Sequence, residues 1–542
     1  MTTISGLTAN STTPYLNANN PQNAPVIVQG KVVSTPNKGF VVPSTAYHPR
    51  DSIVEPIHNP QDFKRDPSPR RCNDLIWAIL FLIHLGAMVW VAIYYIPQMT
   101  NRLGADYAAD ANNDDHRRFL EQDQGDQDWS YQNIDNGYLY DNNAITLNLP
   151  STIAVVAVTC VSGIFLATTA LGFMVLFAET LIRVGFIATA LLSLVMGMAS
   201  VATGQIAAAI ASFVMFVLVT WYACNAWPRI PFAATNLVTA TTIVRDNLGV
   251  AVYAYLSLAL AFGWAVWWTS ATIAALFVLG DCEGDGTCNN DLDPFLIFLF
   301  LASYHWTFHV IANVVTVTVA GVSGTWWMVP SEGNQFCSKA VTDSYYRANT
   351  LAFGSICLGS LVVAIVSAAK EIIRQMRDGR DSVLVCIAEF LLGCIKNILE
   401  YFNEWAFCFV GIYGYSFVES GMQVMDLLRS RGWTSIITDD LSGRALFIVS
   451  FFVALLNGLI GWAFGSVIPL GEGVPEIVPF LIAMVTGFTL CSTLFSVVGS
   501  ACKSVIVLYA EAPNEFQANH PELSNRMRIS WQQAWPVDFK YG

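Results

Sequence analysis

Charge is what this 542-residue sequence has least of: 12% of its residues are Asp, Glu, Lys or Arg, against about 25% in an ordinary soluble domain, and 54% are hydrophobic. Catalytic punctuation is missing too. No P-loop, Rossmann glycine pattern, nucleophile elbow, HExxH or CxxC pair occurs, so an enzyme is not expected. No apolar h-region follows Met1, so no cleavable signal peptide is expected, and the first spanning helix has to act as the targeting signal. Cofactors, metals and nucleic-acid partners are likewise not expected.

What is present is a series of long apolar runs. Hydrocarbon is crossed by about 20 mostly apolar residues in helical form, because it holds no water to satisfy free backbone groups. Ten such runs lie near residues 74–97, 150–176, 181–202, 205–226, 250–279, 293–325, 351–369, 383–418, 445–469 and 477–508. The expectation is an all-α polytopic membrane protein of about ten transmembrane helices whose main partner is the bilayer. Residues 1–70, rich in Asn, Thr and Pro, read as a disordered cytoplasmic tail that cannot bury a core. Residues 71–510 form the membrane domain, and 511–542 a cytoplasmic C-terminal tail.

Lys64, Arg65, Arg70 and Arg71 abut the first run, which places the N-terminus in the cytoplasm under the positive-inside rule. The loop 98–148 has three basic residues against ten acidic ones, and 280–293 has five acids and no base. Together they hold nearly all of the net charge of −13, on the side expected to be outside. That acidity serves solubility or raises the local cation concentration at a pathway mouth. Cys282 and Cys288 stand in the second acidic loop, while the other ten cysteines lie in or beside apolar runs. A disulfide between these two fits an oxidising exterior. A metal site would want more such ligands than the loop supplies. One loop resists the scheme: residues 370–381 carry four basic residues yet fall outside if all ten runs span, so the seventh or eighth run is a candidate for a bent or re-entrant segment.

Two runs carry polar groups that hydrocarbon penalises. In the sixth, His305, His309 and Asn313 follow at four-residue steps and share one helical face, continued by Thr316 and Ala320. The stripe reads as interhelical hydrogen bonding, as the lining of a pathway beside Tyr304 and Trp306, or as a metal site on the two histidines. In the eighth, Lys396, Glu400 and Glu404 share a face. That face fits an amphipathic, interfacial half-helix, or a site where Glu404 neutralises a cationic ligand. Gly461 and Gly465 form a GxxxG packing signal.

Several blocks resemble, in order, the signature blocks of the choline transporter-like family, in its fungal and protist branch: WPRIPFAATNL (227–237), HWTFHVIANVVTVTVAGVSGTWW (305–327), RANTLAFGSICLGSLVVAI (347–365), YFNEWAFCFVGIYG (401–414) and VIVLYAEAPNEF (505–516). The resemblance implies a ten-helix solute carrier of the plasma membrane with cytoplasmic ends and a large first outer loop. Its implied substrate is choline or a related small organic cation, moved without sodium. The chain departs from the pattern where relatives read N-R-N-A-Y and it has Asn403, Glu404, Trp405, Ala406 and Phe407. His305 and His309 stand where Tyr and Gln are common, Thr316 where His is common, and Lys503 and Ala512 where aspartates are common.

The reading that follows is carriage of a choline-like cation by alternating access; the alternatives are a membrane scaffold or lipid-handling protein, and an embedded metalloenzyme. A quaternary ammonium neither donates nor accepts an ordinary hydrogen bond, so aromatic faces should hold it at about 0.5–2 kcal/mol each. The nominated substrate residues are Trp264, Tyr304, Trp306, Asn313, Glu404 and Tyr413, with His305 and His309 along the pathway.

Overall fold

In a computed structural model of the chain, residues 26–28, 31–33, 72–123, 146–282, 288, 293–333, 338–378, 383–430, 441–468, 470–472, 474–475 and 477–534 are described. The tail expected over residues 1–70 lies outside them, apart from the short antiparallel pair β1 (Val26–Val28) and β2 (Lys31–Val33), which belongs to a separate N-terminal unit. Everything that follows concerns the second unit, residues 55–542.

That unit is built of helices: α1 (Leu75–Asp123), α2 (Leu149–Ala202), α3 (Ile206–Ala226), α4 (Ile230–Asp246), α5 (Gly249–Leu279), α6 (Pro294–Met328) and α7 (Lys339–Asn349). There follow α8 (Phe353–Asp378), α9 (Val383–Tyr413), α10 (Phe417–Ser430), α11 (Leu441–Gly465), α12 (Ile477–Glu511), α13 (Pro513–Asn519) and α14 (Pro521–Ala534). A two-residue ladder of β3 (Thr146–Leu147) with β4 (Gly471–Glu472) ties the entry to α2 to the α11–α12 connection.

Among the described residues, eight helical stretches are long and apolar enough to cross a membrane. The difference from ten has two physical sources. One stretch, Pro150–Ala202, has 53 residues, or roughly 80 Å at 1.5 Å per residue against about 30 Å of hydrocarbon. It breaks at Phe177, where the backbone leaves helical geometry (φ −127°, ψ 22°). Before the break Thr159 lies beside Asn457 and Gly461 of α11; after it Gly185 lies against Ile448 of α11 and Gly197 against Phe213 of α3. The length of α2 accommodates two crossings, one on each side of this break. The second source is α9, 31 residues long, which spans by length but carries Glu389, Lys396, Glu400 and Glu404. It is one continuous helix, and α8 beside it is equally unbroken; their connection, residues 379–382, lies outside the described residues.

Small residues let the helices meet. A Cβ on Gly461 would fall 2.2 Å from that of Ala483, and one on Gly465 2.5 Å from Pro479, so the GxxxG pair seats α11 on α12. Cys282 and Cys288 are disulfide-bonded.

Packing is uneven along the bundle. At one end, every α6 residue from Val317 to Met328 is buried, as are Trp405 to Ile412 of α9. The C-terminal stretch, far from being a loose tail, folds onto that end. Asn519 donates from Nδ2 to the carbonyls of Trp327 and Met328 (2.9 and 3.1 Å), and Trp327 donates from Nε1 to that of Ala512 (2.9 Å). The last α6 carbonyls, which no helical partner reaches, are so satisfied. Asp74 closes the same end, accepting at Oδ2 from Ser355 Oγ (2.6 Å) and from the Phe417 amide at the start of α10 (2.9 Å). Toward the other end, residues 385–402 of α9 are all half-buried or exposed.

Candidate functional site: a polar cavity around Glu404 and Lys503

Where the packed end stops, α6, α9 and α12 diverge around a cavity of about 200 Å3. His309, Asn313 and Thr316 of the α6 stripe form one wall, Glu400, Asn403 and Glu404 of α9 a second, and Ser500 and Lys503 of α12 a third. A second cavity of about 410 Å3 shares Thr316, Glu404, Ser500 and Lys503, and continues along the hydroxyls of Ser442, Ser450, Ser492 and Ser496. The two spaces meet at one ion pair, Lys503 Nζ to Glu404 Oε2 at 2.5 Å.

Each charge in this wall is matched. Lys396 Nζ lies 3.5 Å from Glu400, one turn along α9, which leaves Glu404 to Lys503. Glu404 and Lys503 keep 46% and 22% of their side-chain surface, so they meet the cavity space instead of being sealed in protein. The amides are used for positioning. Asn403 donates to the Gly359 carbonyl (2.8 Å) and Asn313 to Ser360 Oγ (3.0 Å), which fixes both walls to α8.

The nominated residues divide. His309, Asn313 and Glu404 come together in the first cavity. His305 is one turn from His309 along α6, ring centres 6.3 Å apart, and its other neighbour is Tyr304 at 5.4 Å. Tyr304 packs on Trp268 of α5 at 4.9 Å. Trp306 is 5% exposed, donates to the Cys357 carbonyl (2.9 Å) and meets Phe81 edge-on, so it joins α6 to α8 and α1. Tyr413 is stacked on Tyr415 and tilted against Phe409 near the packed end. Trp264 lines a different space, about 580 Å3 between α1, α5, α6 and α8, with Phe81, Trp267, Tyr345 and Phe353. The four aromatic nominees thus form no single cage around Glu404. Among the described residues no group of three or more His, Cys, Asp or Glu side chains gathers as a metal site.

Lys503, Ser500 and Asn403 are cavity residues that the sequence reading did not nominate. The signal for Lys503 was in the sequence: a lysine inside the apolar run of the last span needs a partner. Helical periodicity pairs neighbours on one helix and does not reach residues 99 positions apart. Here two departures from the family pattern turn out to face each other, a carboxylate on α9 and an ammonium on α12.

A sequence model of the plasma-membrane choline transporter family matches residues 210–514, more than half of the chain and every residue of the polar cavity. The chain belongs to that family. Among its relatives, Protein PNS1 of Yarrowia lipolytica is 27% identical over 357 residues, 60% of this chain and 62% of the relative. A CTL-like protein of Dictyostelium discoideum is 28% identical over 317 residues (57% and 53%), and Protein PNS1 of Cryptococcus neoformans 31% over 247 residues (43% and 45%). The matched stretches span between under half and about three fifths of these relatives' lengths. The fungal and protist resemblance is therefore borne out. The chain is a multi-pass membrane protein of a transporter family, not of an enzyme family.

Proposed function

We propose that this protein carries choline or a similarly small organic cation across the plasma membrane by alternating access, with both termini in the cytoplasm. The observation that carries the proposal is the polar cavity in mid-bundle, set against a packed layer on one side and more open helices on the other. A carrier needs a solvated site reached from one face while the other is shut. In this reading the packed end, with Asp74 and the C-terminal helices, is cytoplasmic, and the outer half is open.

Glu404 is the group that recognises the cation. Its carboxylate is half exposed and already holds one ammonium, that of Lys503. An arriving cation competes with Lys503 for the same oxygens, so the carboxylate is compensated both before and after binding, while the displaced ammonium turns to the polar space it already meets. Phe447 and Phe495 offer ring surface in the adjoining space. One observation favours a second location: the cavity at Trp264 is ringed by five aromatic side chains, the surface that suits a quaternary ammonium.

The test is uptake of labelled choline into proteoliposomes. Saturable uptake is expected, with Glu404→Gln raising the half-saturating concentration about tenfold at unchanged protein content and Trp264→Ala having a smaller effect. The converse ranking moves the site to the aromatic cavity. Absence of saturable uptake for choline and ethanolamine alike would return the protein to a scaffold or lipid-handling role.

A further inference from the structure

A third space, about 860 Å3, lies away from both candidate substrate cavities, between the second half of α2, α3 and the start of α11. Its walls are apolar: Phe186, Leu192, Met215, Leu218, Phe447 and Phe451. Leu192, Leu218 and Phe447 keep 54%, 52% and 60% of their surface, so the trough opens sideways on the flank that faces hydrocarbon in a spanning bundle. One end carries a cation. Arg444 lines it, with its guanidinium carbon 4.0 Å from the centre of the Tyr222 ring, and no acidic side chain pairs with it among the described residues. Arg183, one turn before Phe186, is by contrast engaged by Glu179 and lies over Trp227 at 5.7 Å.

We propose that this trough binds an anionic glycerophospholipid of the surrounding bilayer, with an acyl chain along the apolar walls and the phosphate on Arg444. The chemistry is complementary at both ends. An apolar lining opening on hydrocarbon excludes a soluble polar ligand, and a guanidinium at the edge of hydrocarbon is costly without a counter-charge, which an acidic headgroup supplies in a bidentate geometry. The ring of Tyr222 holds the guanidinium in place without neutralising it. Gly443 and Phe447 line both this trough and the polar space beside Glu404, so the lipid would lie one layer of side chains from it. The site itself stands whether or not the protein proves to be a carrier.

Native mass spectrometry of the purified full-length chain, with phosphatidylserine or phosphatidylcholine added in equal amounts, tests it. The parent should retain the serine lipid about fivefold more than the choline lipid, the value of one basic residue near a membrane surface. Arg444→Gln should bring that ratio close to one, Arg444→Lys should keep part of it, and Leu218→Trp, which fills the trough from an exposed position, should lower retention of both lipids. Equal retention of the two lipids by the parent, or an undiminished preference in Arg444→Gln, would overturn the assignment. So would displacement of the serine lipid by inorganic phosphate, which would make the ligand a soluble anion. Should Arg444→Gln fail to fold, the parent ratio and Leu218→Trp decide between these outcomes alone.

Discussion

Reversing the Glu404–Lys503 pair tests both the geometry and the proposed role of the carboxylate. At 2.5 Å, two unit charges attract by about 2 kcal/mol at the dielectric of water and about 7 kcal/mol at an effective dielectric near 20. Glu404 is 46% exposed and Lys503 22%, so solvent screening holds the interaction near the lower figure. Glu404→Lys alone sets two ammoniums together, and Lys503→Glu alone sets two carboxylates together; each loses the attraction and adds a repulsion of similar size. The double variant restores an opposite-charge pair with α9 and α12 exchanging signs. Each single variant should therefore lose about 4 kcal/mol and the double about none, so a double-mutant cycle from the thermal unfolding of purified protein should give a coupling of up to about 8 kcal/mol, four times the attraction of the pair, with each single variant less stable than the double. Additive losses, with a coupling below about 0.5 kcal/mol, would show that the two side chains do not interact and would refute the reasoning. Uptake by the same variants then separates two roles. If the pair only holds the helices, the double variant transports normally. If Glu404 contacts the cation from α9, transport stays impaired although stability returns.

Four further outcomes are expected. Unreduced peptide mapping should recover Cys282 linked to Cys288, and membrane-impermeant reagent should reach a cysteine placed at position 290 but not one placed at 525; the reverse labelling would invert the proposed orientation. Burial lowers the pKa of His520, stacked on Trp326, against the opposing pull of the Trp326 carbonyl and Asp246. The folded state then prefers the neutral ring, so this contribution is present above about pH 6.5 and lost as pH falls below it; the melting temperature should drop on acidification to pH 5, and His520→Gln should flatten that drop. Gly461→Leu should destabilise strongly, because its side chain would enter the space of Ala483 and the Pro479 carbonyl, and unchanged thermal stability would remove the α11–α12 seam from the account.

The fold was legible because hydrocarbon imposes one rule on every span, and apolar run length reports it directly. Even the second and third runs, merged into one helix in the structure, separate in the sequence around residues 177–180, where AET interrupts the apolar residues next to the break at Phe177. The site was legible only in part. Periodicity placed His309 and Asn313 on one face of α6 and Glu400 and Glu404 on one face of α9, and those faces do look into one cavity. It could not say which aromatic residues look into that cavity, because a tryptophan in an apolar helix is equally at home against another helix. Trp306 shows this: its indole serves the joint with α8, through a hydrogen bond to the Cys357 carbonyl.

The polar stripe on α6 also answers to packing. From Val317 onward the helix is buried on all sides, and there its polar residues are small and bond back to their own helix: Thr318 to the Val314 carbonyl, Ser323 to that of Val319, Thr325 to that of Gly321. Such side chains consume their own donors and demand no partner from a neighbouring helix. Before Val317 the larger polar residues His309, Asn313 and Thr316 line the cavity, while Thr307 faces the aromatic cavity and Ser303 pairs with His84 of α1. The change occurs at the depth of Glu404, where α9 passes from exposed and half-buried residues to a buried run. Two helices far apart in sequence thus switch from cavity-facing to fully packed at the same level. If that level is the floor of an outward-facing site, moving substrate onward requires the layer formed by Val317, Ala320, Gly321 and Gly411 to part. A Cβ on Gly411 would lie 2.5 Å from the Val317 carbonyl and 2.6 Å from the Ala320 methyl, so the two helices touch there without side chains between them. Contact of that kind comes apart by rigid displacement of one helix from the other, with few rotamers to rearrange, which is what a carrier that opens alternately to each side needs from its closed face.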